Sequence, residues 1–323
     1  MKKVSYEKGQ FTEQKVFIGG LEVYLYNADA VEKYVASNKS KEYHINVAYI
    51  LQPRGDHDHT FGESIAYNIL QDYYSKSKLS TPLVCVAWDA PNHGSRCVQV
   101  ERNTSWEEGN VTHALDMISM IDSYVEETKL IMDSLQAHLN VDHHLPPSDE
   151  KEAEDENRVK FFNIISGVSL GAHTSIRFAS KYPKLAQVIN PMVGCSDLST
   201  LLLNRLQKID DQDYKKKFYF NYEELGLDEE QRRDFYPKAL HKHVSKQDIN
   251  IFENLSNSGV KMFASFGADD KLVPAELSRS WVDMYSLNNT DSQSFTQEHI
   301  GHQITIEMID KFTTWLIKQI PIE

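Results

Sequence analysis

Cysteine is scarce in this chain, three residues in 323. Cys85, Cys97 and Cys195 are too few and too widely separated for a disulfide framework, so reduced thiols in a cytoplasmic setting are expected. Long apolar runs are missing as well. No stretch approaches the roughly eighteen uninterrupted apolar residues of a membrane-spanning helix, and Met1 to Gln10 is polar, without the apolar segment of a secretory signal. Stable membrane insertion is therefore not expected. Positive charge is in deficit: 34 Lys and Arg stand against 47 Asp and Glu, a net charge of −13. That counts against nucleic acid or an anionic membrane as the main partner, although a substrate pocket can carry a local field of either sign. No G-x-G-x-x-G follows an early strand and no phosphate-binding loop is present, so no cofactor is indicated. Asp56-His-Asp-His59, His143-His144 and His241-Lys-His243 lack a complete ligand set at recognisable spacing, so no metal is expected.

What the chain does contain is ordinary for a globular protein able to bury a substantial core: 41% apolar and 25% charged residues. One motif stands out. Gly167-Val168-Ser169-Leu170-Gly171 directly follows a β-rich run, Val159 to Ile165, and precedes a helix-compatible stretch, Ala172 to Lys181, that stops before Pro183. A serine hydroxyl is a poor nucleophile unless a base reaches it, and a sharp strand-to-helix turn lifts its Oγ where a histidine can approach. The same turn aims the N–H of Leu170, at a helix N-terminus, toward a developing oxyanion. Two further pieces follow in the order Ser, acid, His. Lys261 to Phe266 reads as a buried strand followed by Gly267-Ala-Asp-Asp270-Lys-Leu-Val-Pro274. His302 then precedes the helical pattern Ile304 to Ile317.

On these residues the chain resembles the α/β-hydrolase superfamily over most of its length. Asp89-Ala-Pro-Asn-His93-Gly94-Ser95, after the apolar strand Leu83 to Trp88, looks like the superfamily's D-x-x-G-H-G-x-S turn, with Asn92 in place of the first glycine and Ser95 one residue early. The run Trp106 to Met117 is similar to uncharacterised fungal members. The resemblance implies an α/β fold: a mostly parallel eight-stranded sheet flanked by helices, with a helical cap inserted after the sixth strand. The catalytic domain would be residues 1–195 and 260–323, and the cap residues 196–259.

The resemblance also implies roles. Gly267 and Pro274 frame Asp270 rather than Asp269 as the acid, and Gly301-His302 favours His302 over His299 as the base. Gln52 and Pro53 stand where a His-Gly pair is usual, so the second oxyanion donor would be the N–H of Arg54, with Gly55 as the alternative. His93 is expected to bond backbone locally. Within the cap, Phe218, Tyr219, Phe220 and Tyr222 are the expected substrate-binding wall of an apolar acyl pocket. The acidic run Ser148 to Glu156 is expected to be a solvated surface loop. The function implied is a serine hydrolase cleaving a small or medium ester or thioester through Ser169, His302 and Asp270, with a small-molecule acyl substrate as partner. Peptide or amide cleavage, acyl transfer and a catalytically silent binding protein are the alternatives.

Overall fold

The chain opens on a hairpin that closes at Gly19-Gly20. β1 (Glu13–Ile18) runs antiparallel to β2 (Leu21–Tyr26), as the alternating pattern there predicts. The structure is a computed structural model that describes residues 1–38, 40, 42–145, 158–209 and 215–321. Among these, eight strands form one sheet. The remaining six are β3 (Tyr43–Leu51), β4 (Leu83–Trp88), β5 (Val159–Val168), β6 (Val188–Met192), β7 (Lys261–Gly267) and β8 (Gln293–Gln297), in the spatial order β1-β2-β4-β3-β5-β6-β7-β8. The sheet is mixed. The β1–β2 and β2–β4 pairings are antiparallel, and the other five are parallel. The acidic run Ser148 to Glu156 lies outside the described residues.

Parallel neighbours need crossovers, and helices supply them: α1 (Asp29–Ser37), α2 (His59–Lys76), α3 (His113–His138), α4 (Val141–His144), α5 (Leu170–Lys181), α6 (Leu198–Gln207), α7 (Lys238–Asn254), α8 (Glu276–Asn288) and α9 (Ile306–Leu316). Strand side chains alternate between two cores. On β3, Ile45, Val47, Tyr49 and Leu51 join α3 and α5, while Ala48 and Ile50 join α2 and α9 on the opposite face. Strands buried on both faces read as nearly continuous apolar runs, which is why β3, β4 and β7 are legible in the sequence. Among the described residues no helix is long and apolar enough to cross a membrane.

The turn from β5 into α5 depends on two close approaches. A Cβ on Gly167 would stand 2.0 Å from the carbonyl oxygen of Gly171, and one on Gly171 would stand 2.2 Å from that of Leu51. Both obstacles are backbone and cannot swing aside. Gly171→Ala should therefore lower unfolding free energy by about 3 kcal/mol, read from urea denaturation. A change within experimental error would show that the β3 loop yields.

The segment between β6 and β7 has two parts. α7 packs on α5, tied to it by Arg177 Nη2, which donates to Asp248 Oδ1 at 2.5 Å, with both side chains buried. α6 begins at Asp197, whose Oδ1 accepts the Thr200 N–H at 2.9 Å. Burial and the nearby Asp248 push Asp197 up to about 7, against an attraction from Lys216 Nζ at 3.6 Å. The folded chain therefore keeps a proton that the unfolded chain releases between pH 3.8 and about 7. Stability through this group is complete below the lower value and falls as pH rises to the upper. Asp197→Asn keeps a capping oxygen and removes the titration. Its unfolding free energy should be flatter across that window and exceed wild type by about 1–2 kcal/mol above it. Parallel wild-type and variant pH profiles would contradict this.

Candidate active site

The serine of the elbow sits where strand and helix meet. Ser169 has φ 51° and ψ −107°, a strained conformation for a residue with a side chain. It is held by its N–H, which donates to Met192 O at 3.0 Å, and by its carbonyl, which accepts the His173 N–H at 3.0 Å. β6 and the first turn of α5 thus fix the serine's backbone through its N–H and its carbonyl.

His302 lies beyond β8, in the loop that leads to α9. Ser169 Oγ lies 2.9 Å from His302 Nε2, and His302 Nδ1 lies 2.8 Å from Asp270 Oδ2. With the proton on Nδ1, the ring donates to Asp270 and accepts from the serine hydroxyl, the tautomer a general base requires. The second carboxylate oxygen of Asp270 accepts the N–H groups of Leu272 and Val273, both at 2.9 Å, so the buried acid is held on both oxygens. Asp269 differs. Its side chain is exposed, and its N–H donates to Ile300 O at 2.9 Å, joining the acid loop to the base loop. His299 is exposed, with φ 60°, just past the end of β8. Of each rival pair, the structure brings Asp270 and His302 to the serine.

The elbow's N–H groups show what is open to a ligand. The Gly171 N–H donates to Gln52 O at 3.0 Å, and the Gly55 N–H donates to His93 Nε2 at 3.1 Å. His93 also bonds Pro91 O through Nδ1 at 2.8 Å, the local structural role its N-H-G turn suggests. Among the described residues the N–H groups of Leu170 and Arg54 have no acceptor, whereas that of Gly55 is already engaged. Gln52, at the position where the resemblance leads one to expect histidine, anchors the loop. Its side-chain nitrogen donates to Trp88 O at 2.9 Å and its N–H to Tyr124 Oη at 3.1 Å.

The aromatic run in the cap is not brought to the serine. Phe218 is buried against Tyr219 and Phe252, with ring centroids 4.6 and 5.8 Å away. Tyr219 is 52% exposed and donates to Glu253 at 2.9 Å. The Phe220 carbonyl accepts from His241, and Tyr222 Oη donates to Tyr236 O at 2.7 Å. These residues pack and bond within the segment itself, onto Tyr236, His241, Phe252 and Glu253. The cavity that Lys271 and Leu272 line takes its wall on this segment from α6 instead, through Leu201, Asn204 and Arg205. Composition marked the run as apolar without telling which way it turns. The cavity's polar residues Arg205, His113 and Lys271 escaped sequence reasoning because no local motif links them. Among the described residues no cluster of His, Cys, Asp and Glu is placed to hold a metal ion.

At the level of sequence, no known family and no curated protein matches this chain. Solved structures do match in shape. TT1662 from Thermus thermophilus superposes with a TM-score of 0.57 at 14% identity, covering 96% of this chain and 98% of that one. A putative dipeptidyl aminopeptidase IV from Bacteroides ovatus gives 0.50 at 13% identity, over 96% of this chain and 36% of its own. The Pf2001 esterase of Pyrococcus furiosus gives 0.48 at 13% identity, over 96% and 91%. None of the three is fungal. At such identities the likeness shows the fold alone, an α/β sheet flanked by helices.

Proposed function

We propose that this chain is a serine hydrolase acting on a small or medium ester or thioester. The observation that supports it best is the unbroken row from Ser169 through His302 to Asp270. A binding protein has no use for a strained serine hydrogen-bonded to an oriented imidazole. The chemistry follows from the geometry. Ser169 Oγ attacks the acyl carbonyl as His302 Nε2 takes its proton, and the oxyanion meets the Leu170 and Arg54 N–H groups. Collapse breaks the bond to the alcohol or thiol, which leaves with the proton from His302. Water, deprotonated by the same nitrogen, then releases the acid and restores the serine. Asp270 holds the imidazole in the required tautomer and supports its transient charge.

In this reading residues 196–259 form the cap, with α6 as its substrate-facing part and the Phe218–Tyr222 aromatics as its internal packing. The test is a fluorophosphonate probe, which phosphonylates an activated serine. Stoichiometric labelling at Ser169, located by peptide mapping and absent in Ser169→Ala, is the expected result. A native chain that stays unlabelled would overturn the proposal.

A further inference from the structure

A cavity of about 450 Å³ is bounded by α6, the loop after β3 and the loop after β7, where Lys271 and Leu272 directly follow Asp270. Arg54, the proposed second oxyanion donor through its N–H, also lines this cavity. Arg205 Nη2 donates at 2.7 Å to the carbonyl of Leu272, the residue whose N–H is bound by Asp270. The size suits a small molecule.

The cavity's charge is the reverse of the protein's. Arg54, Arg205, Lys208 and Lys271 line it against a single exposed carboxylate, Glu107, in a chain of net charge −13. Two of the four cations are short of partners. Arg54 Nη1 donates to Asn103 O and Arg205 Nη2 to Leu272 O, yet neither guanidinium forms an ion pair among the described residues, and Arg205 Nε is buried without an acceptor. Burial, then Arg54, pulls Arg205 down to about 10, so it remains charged at neutral pH. His113, on the same wall, is lowered to about 4 by burial and by both arginines, and stands neutral as a hydrogen-bonding group. Trp106, Leu201 and Leu277 supply apolar surface between the charges. Two guanidiniums that act on each other, with Glu108 and Asp270 felt by them but neither in ion-pair contact, are costly to bury unless an anion joins them, and a planar oxyanion group accepts from them in the bidentate manner.

We infer that this cavity is a subsite for an anionic group of the substrate, a carboxylate or a phosphate, with Arg54 and Arg205 as its main ligands and Lys208 and Lys271 at its exposed mouth. The inference rests on the hydrolase reading and narrows it: the ester cleaved carries a negative charge a few bonds from the scissile carbonyl, and neutral acyl chains are the poorer substrates.

Binding and turnover are tested apart. In the Ser169→Ala chain, calorimetric titration with glutarate, inorganic phosphate and neutral glutaramide should show at least one anion bound tenfold or more tighter than glutaramide. Which anion it is decides between carboxylate and phosphate. Arg205→Gln should weaken that binding at least tenfold. Should Arg205→Gln fail to fold, exposed Lys271→Gln carries the same test with a smaller loss. Neither anion exceeding glutaramide, or equal binding in the folded variants, overturns the inference. In the native chain, kcat/KM for mono-p-nitrophenyl glutarate should exceed that for p-nitrophenyl butyrate tenfold, and Arg205→Gln should shrink that ratio tenfold. An unchanged ratio also overturns it. Tight, Arg205-dependent glutarate binding without turnover of either ester would sustain the subsite and overturn the hydrolase reading alone.

Discussion

Ser169→Ala should abolish ester turnover, with kcat falling by about 10⁴-fold or more, while the thermal transition stays within a few degrees of wild type. His302→Ala should cost about as much. The two losses should not add, because each residue is idle without the other: the hydroxyl is activated only through its 2.9 Å hydrogen bond to His302 Nε2. The fold is indifferent to either change. Among the described residues Ser169 Oγ has no hydrogen-bond partner besides that imidazole, and the strain at its backbone belongs to the elbow and not to the hydroxyl. Initial rates on a p-nitrophenyl ester, with circular dichroism melting of each variant, measure both halves of the expectation. Ser169→Ala retaining near-native rates would end the covalent mechanism.

The second large effect separates two adjacent carboxylates. Asp270→Asn should lower kcat by about 10³–10⁴-fold, because an amide nitrogen facing His302 Nδ1 favours the tautomer with its proton on Nε2, where it cannot accept from serine. Asp269→Asn should stay within twofold, since its side chain is exposed and only its N–H is engaged. Rates of the two variants, measured side by side, decide the acid. Were Asp269→Asn the damaging change, the 2.8 Å contact between His302 and Asp270 would have no catalytic meaning.

Much of this was legible in the chain because the chemistry is locally encoded. The elbow needs glycines at Gly167 and Gly171 for backbone clearance, and those letters sit within five residues of each other. Gly301-His302 and the Gly267 to Pro274 loop are similarly compact. β8 was not individually legible: Gln293–Gln297 has one strand neighbour and is mostly exposed or half-buried, so no apolar alternation marks it. α1 and α8 went unread as well, their buried residues spaced among polar ones. The orientation of Phe218 and its neighbours was beyond composition, since an apolar ring packs as well against a helix as against a ligand. The cationic cavity gathers residues from positions 54, 113, 205 and 271, and only tertiary structure brings them together.

The edge position of β8 bears on how this molecule fails. The nucleophile is set in the middle of the sheet, between β3 and β6. The base hangs from the last strand, whose outer side has no neighbour among the described residues, and two backbone bonds, from Ala268 N to Gln297 O and from Asp269 N to Ile300 O, tie its loop to the acid loop. Sheet margins are where native proteins open first, at a fraction of the free energy of global unfolding. Opening of β8 would withdraw His302 before the central strands that carry the elbow serine are disturbed. On the proposed mechanism, activity is expected to be lost at lower denaturant than the fold, read as an inactivation midpoint below the circular dichroism midpoint; coincident midpoints would contradict this.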